Sequence, residues 1–136
     1  MLEKAARAGE ASAAFRIGML LDDGDGVAQD RPRALAYFKA AAAGGAAEAF
    51  HNIGVAYANG RGLKPDFAEA LAWLILAGNR GADRSAEHAM RDRLQKSGRT
   101  AVLAKAEKRA QEIERELAAK KTAEWLPPPA TLAVAR

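Results

Sequence analysis

Four times along the chain, apolar and small residues recur at the i, i+3, i+4, i+7 spacing that puts them on one face of an α-helix. The stripes are Ala14, Ile17, Gly18 and Leu21; Ala34, Tyr37, Phe38 and Ala41; Phe50, Ile53, Gly54 and Tyr57; and Ala70, Trp73, Leu74 and Ala77. Four helices are predicted, each with one apolar face. The last two stripes repeat the first two. Ile17, Gly18, Leu21, Gly24, Gly26, Val27, Asp30, Ala34, Leu35, Tyr37, Ala41 and Gly45 return as Ile53, Gly54, Tyr57, Gly60, Gly62, Leu63, Asp66, Ala70, Leu71, Trp73, Ala77 and Gly81, every pair 36 residues apart. A fixed period of this size marks stacked helix-turn-helix units, each with an apolar face that only a neighbouring unit buries.

The links between helices carry matching turn chemistry. In Asp23-Gly24-Asp25-Gly26-Val27 and Asn59-Gly60-Arg61-Gly62-Leu63 the first glycine suits a left-handed helix C-cap and the second permits another positive φ. Val27 and Leu63 place an apolar anchor under each turn. Asp30 and Asp66 stand where the next helix begins and offer side-chain oxygens to its unpaired first-turn amides, and Glu69 adds a capping-box spacing to Asp66. Gly18 and Gly54, inside helices, each cost about 1 kcal/mol against alanine, so their recurrence implies close helix approach.

The pattern weakens at both ends. Met1, Leu2, Ala5, Ala6 and Gly9 align at the same period with Tyr37, Phe38, Ala41, Ala42 and Gly45, so residues 1–9 read as half of a preceding repeat, either a degenerate cap or a remnant of truncation. The uncovered apolar edge Met1, Leu2, Ala5 and Ala6 would favour self-association. Beyond residue 81 the register survives only as Ala89, Met90 and Arg93, without a Gly-x-Gly loop. A capping helix is expected from about Arg99 to Lys121, with Leu103, Ala106, Ala110, Ile113 and Leu117 on one face and Lys108–Glu112 and Glu116–Lys120 pairs on its flanks. Leu126-Pro127-Pro128-Pro129 cannot continue a helix and favours polyproline II, so 126–136 is expected to be a mobile tail. The expected segments are 1–9, a partial repeat; 10–45 and 46–81, full repeats; 82–121, a degenerate repeat helix with the cap; and 122–136, a proline-containing tail.

Composition narrows this all-α reading. There is no cysteine among the 136 residues, so disulfides and thiolate chemistry are excluded. No apolar run reaches the roughly 20 residues that span a bilayer, and Glu3, Lys4 and Arg7 occupy the place where an export signal needs apolar residues. As given, the chain reads as soluble and without an address. Residues 1–81 hold nine basic and nine acidic side chains, and residues 82–136 hold twelve and eight, so the whole net charge of +4 belongs to the C-terminal part. The repeats are neutral, unlike a phosphate-binding array.

The phrase Ala49-Phe50-His51-Asn52-Ile53-Gly54-Val55-Ala56-Tyr57-Ala58-Asn59-Gly60-Arg61-Gly62-Leu63, followed by Asp66, Ala70, Trp73 and Ala77, resembles the Sel1-like repeat, a 36-residue relative of the tetratricopeptide repeat. The resemblance implies a right-handed α-solenoid that scaffolds protein assemblies, with a concave groove lined by the first helix of each repeat. On a helical projection the side away from the core stripe carries Ser12, Arg16, Met19 and Asp23 with Phe15 at its edge. Its counterparts are Glu48, His51, Asn52, Val55 and Asn59, then Arg84, Glu87, His88 and Arg91. The candidate binding set is Phe15, Met19, Asp23, His51, Val55, Asn59, Glu87 and Arg91: apolar groups to bury part of a peptide, polar groups to fix its register.

Catalytic and cofactor chemistry is not supported by spacing. Some relatives in the family have been linked to β-lactam chemistry, yet Ser12, Ser85 and Ser97 are followed three residues on by Phe15, His88 and Thr100, so no Ser-x-x-Lys pair exists. His51 and His88 lack partners at metal-ligand spacing. If Gly26 were the sixth position of a calcium loop, Leu21 and Pro32 would stand at its first and twelfth positions, and neither supplies a ligand. No cofactor or metal is expected. A non-catalytic protein-interaction module is the leading reading; an RNA-binding helical array is the alternative, and a β-lactam-binding or cell-wall hydrolase the third.

Overall fold

The structure, a computed structural model, describes residues 2–61, 63–120 and 122–127, with the side chains of 2–9, 122 and 123 left aside. Met1, Gly62, Lys121 and residues 128–136 lie outside the described residues, as do the side chains of Leu2, Ala5 and Ala6, so the expected apolar edge and most of the expected tail are not addressed. The chain folds as α1 (Leu2–Asp23), α2 (Arg31–Ala43), α3 (Ala47–Asn59), α4 (Phe67–Asn79), α5 (Ser85–Lys96), α6 (Thr100–Ala119) and the single turn α7 (Thr122–Trp125). No strand occurs among the described residues. Successive helices α1 to α4 pack as neighbours, giving an all-α helical-repeat solenoid. Residues 2–9 belong to α1, so no turn at Gly9 separates them from the residues that follow.

The loops repeat as faithfully as the helices. Asp30 donates its amide to the Leu21 carbonyl at 2.9 Å, and Asp66 does the same to Tyr57 at 3.0 Å. Their carboxylates then cap α2 and α4 by accepting from the amides of Arg33 and Glu69, both at 3.1 Å. Gly60 closes α3 with φ +67 and Gly24 follows α1 with φ +71, as a left-handed C-cap requires. The reciprocal half of the expected capping box is not made. Glu69 instead accepts from Trp73 Nε1 at 3.2 Å and from Arg109 of α6, because that partner is charged and lies across a helix interface.

Close helix approach explains the interior glycines. A Cβ on Gly18 would lie 2.8 Å from Phe38 Cε1, and one on Gly54 would lie 2.8 Å from Leu74 Cγ and 3.1 Å from the Ala70 carbonyl oxygen. Around these contacts Phe50, Ile53, Leu71, Trp73 and Leu76 are fully buried, each contributing about 1.5 to 3 kcal/mol through apolar burial. Phe50 and Trp73 stack tilted at 5.7 Å between α3 and α4.

The C-terminal helix does more than close the last repeat. α6 packs along α4 through Ala106, Ala110, Ile113 and Leu117, reaches α2, and leads into α7, which lies on α2 and touches α1. Trp125 joins the main core. Within the expected tail segment 122–136, α7 is a helical turn held by an aromatic side chain with apolar surface to bury. Among the described residues no helix is long and apolar enough to cross a membrane.

Candidate functional site

The face built by α1 and α3 holds the largest hollow described. Phe15 and Met19 come from α1, Glu48, His51 and Asn52 from α3, and the far wall is the α4–α5 link, from Arg80 to Asp83, with Ser85 and Ala86 of α5. The space is about 870 Å³. A smaller adjoining cavity of about 260 Å³ shares Met19, His51 and Asn52 and adds Asp22, Asp23, Val55 and Arg61. Asn52 Nδ2 lies 3.6 Å from Met19 Sδ, so the two helices meet on the floor of both. Met19 is 37% exposed, so part of its apolar side chain is open to this space.

Fixed contacts set the walls. Phe15 is held by a tilted ring contact with Phe38 at 5.6 Å. Arg80 spans the far wall: its guanidinium lies 4.2 Å over the Phe50 ring and makes a two-bond contact to Glu114 of α6, at 2.6 and 3.1 Å. Asp22, at the end of α1, pairs with Arg61 of the next loop at 3.1 Å and with Arg31 at 3.7 Å. The side chain that replaces Asp25 in the second repeat therefore reaches back to the first. Asp83 accepts from the Ser85 amide at 2.6 Å. Its carboxyl is held below the usual carboxylate value by the Ser85 side chain, then by that amide, with smaller contributions from His88 and His51. Both imidazoles thus act on an acid that sequence spacing does not associate with them.

Five of the eight candidate residues come together: Phe15, Met19 and His51 in the larger space, with Met19, Asp23, His51 and Val55 in the smaller. Asn59 is exposed at the end of α3 and lines neither. Glu87 and Arg91 are corrections. Glu87 is only 5% exposed and bridges Arg84 at 2.8 Å and Arg91 at 3.0 Å, while Arg91 continues to Glu107 of α6 at 3.1 Å. Although desolvation opposes it, the guanidinium of Arg91 is held above its ordinary value by Glu87 and Glu107. These two side chains fasten α5 to α6. Projecting the first-helix register onto α5 misassigned them, whereas the spacing Arg84, Glu87, Arg91 carries the i, i+3 and i, i+4 signature of a paired carboxylate. Asp83 escaped notice because a helical projection does not see a linker.

Among the described residues no group of three or more His, Asp or Glu is placed to hold a metal. A comparison with curated proteins finds no match. The Sel1 repeat model matches residues 11–45 and 47–81, within a residue or two of the boundaries set by the 36-residue period and over more than half of the chain. The chain therefore belongs to the Sel1 repeat family, whose repeats are generally protein-interaction scaffolds and typically non-catalytic.

Proposed function

We propose that this chain is a scaffold module that holds a peptide segment of a partner protein in the groove between α1, α3 and the α4–α5 link. The observation that carries the reading is the continuity of the two cavities through Met19, His51 and Asn52, which gives an extended segment one apolar floor with polar groups at both ends. Phe15, Met19 and Val55 supply the apolar contact; Asp23, Glu48, His51 and Asn52 supply register.

Peptides selected from a random display library against the whole chain provide the test. Binding measured by fluorescence anisotropy is expected to weaken tenfold or more, about 1.4 kcal/mol, in Met19→Glu with Val55→Glu. Lys108→Glu, on the outer face of α6, is expected to leave it unchanged. Loss of binding in Lys108→Glu with normal binding in the groove variant would move the site to the C-terminal helix.

A further inference from the structure

The sign of the groove is opposite to that of the chain. Its charged lining consists of Asp22, Asp23, Glu48 and Asp83 against Arg61 and Arg80. Both arginines are already neutralised, Arg61 by Asp22 and Arg80 by Glu114, which lies outside the groove. Asp23, Glu48 and Asp83 are exposed, and among the described residues they form no ion pair. Arg16 is exposed on α1 but does not line either cavity. Three uncompensated carboxylates therefore face the groove of a chain whose net charge is +4.

Helix ends sharpen the pattern. The first turns of α3 and α5 open at the Ala47 and Ser85 end, each carrying roughly half a positive charge, and Glu48 and Asp83 together outweigh them. At the other end lie the last turns of α1 and α3, whose partial negative charges add to Asp23. The groove is negative at both ends and apolar between them.

Resting on the reading that this groove holds a peptide, we infer that its occupant is a basic amphipathic segment, in which an apolar side chain is flanked by lysine or arginine. The apolar side chain lies against Phe15 and Met19. One cation meets Asp23 and another meets Glu48 and Asp83, and the aliphatic stems of such residues cover the apolar floor on the way. Attraction of this kind speeds encounter and excludes acidic competitors, and it weakens with salt.

Three labelled twelve-residue probes decide the matter: one of leucine and lysine, one of leucine and glutamate, and one of leucine and glutamine, each titrated into the full chain. The lysine probe is expected to bind at least tenfold more tightly than the others at low salt, to lose that margin at high salt, and to weaken about tenfold in Asp23→Asn with Glu48→Gln. Both positions are exposed, and circular dichroism verifies that helicity is kept. Equal binding of all three probes that Met19→Glu abolishes would overturn the charge inference and leave the groove reading standing. Tighter binding of the glutamate probe, or no effect of the double neutral variant, would also overturn the inference. Failure of every probe, or binding indifferent to Met19→Glu, would remove the groove reading with it.

Discussion

Gly54→Ala is the sharpest test of the packing argument, because intrinsic helix preference and tertiary contact predict opposite signs. Inside a free helix the change stabilises by about 1 kcal/mol. Here the new Cβ would stand 2.8 Å from Leu74 Cγ and Cδ2 and 3.1 Å from the Ala70 carbonyl oxygen, closer than ordinary contact. Leu74 is 5% exposed, and the carbonyl belongs to the backbone of α4, which cannot shift without moving the helix. Overpacking of this kind costs about 1 to 3 kcal/mol, so the net change is a loss of up to about 2 kcal/mol. At about 4 °C per kcal/mol for a chain of this size, the melting temperature is expected to fall by up to about 8 °C. Gly54→Leu puts further atoms into the same space and is expected to fall further, whereas Gly18→Ala is milder because the nearest carbonyl, Ala34, stands at 3.3 Å. Thermal unfolding followed by circular dichroism reads all three. A raised melting temperature in Gly54→Ala would mean that propensity wins, and the close approach of α3 to α4 would be refuted.

Three further outcomes follow from the same geometry. Glu69→Ala strips the partner from Trp73 Nε1 and one of three carboxylates from Arg109, which keeps Glu112 and Glu116, and chemical denaturation is expected to show a loss of about 1 to 3 kcal/mol, which an unchanged midpoint would contradict. Because Asp22 is engaged by Arg61 and Arg31, added calcium and Asp25→Asn are each expected to leave the melting temperature unchanged; a calcium-dependent rise abolished by Asp25→Asn would establish a metal loop. Asp83 is expected to titrate below 3.8 by NMR, and since its folded value is depressed, its contribution to stability is present above the unfolded value and lost as pH falls through the folded one. Ser85→Ala, which keeps the backbone amide, is expected to raise that pKa part of the way toward 3.8, and no movement would show that the Ser85 hydroxyl is not a cause.

The solenoid was legible because a repeat is a statement about contacts. Gly18 and Gly54 disobey helix propensity at the same place in two units, and the structure puts an opposing side chain over each. Asp30 and Asp66 likewise cap the helices that their spacing assigns to them. The register was a guide to the proposed groove as far as the repeat extends: Phe15, Met19, Asp23, His51 and Val55 line the two cavities. It failed at α5. Arg84 packs over Gly78, whose added Cβ would lie 2.6 Å from Nη1, and it draws Glu87 inward toward Arg91 and α6. The local i, i+3 and i, i+4 spacing carries the pairing of Glu87 with Arg84 and Arg91, but the link from Arg91 to Glu107 crosses to another helix, and no local pattern around residue 87 encodes it.

The C-terminal helix also decides which face is left for a partner. α6 lies along α4 and reaches α2, held by buried Ile113 and Leu117 and by the contacts of Arg109 with Glu69 and of Glu114 with Arg80. α7 extends the cover onto α2 with Trp125. The side of the second helices is therefore occupied by the chain itself, and its apolar surface is spent on folding. Among the described residues the groove side of α1 and α3 carries no such cover: Met19, Glu48, Asp23 and Asp83 are exposed there. Arg80 joins the two arrangements, since the same guanidinium that binds α6 through Glu114 forms the far wall of the groove. The strap on one side thus fixes the wall on the other, so a change in how α6 seats would reach the proposed groove through Arg80, whose guanidinium also lies on the buried Phe50 ring.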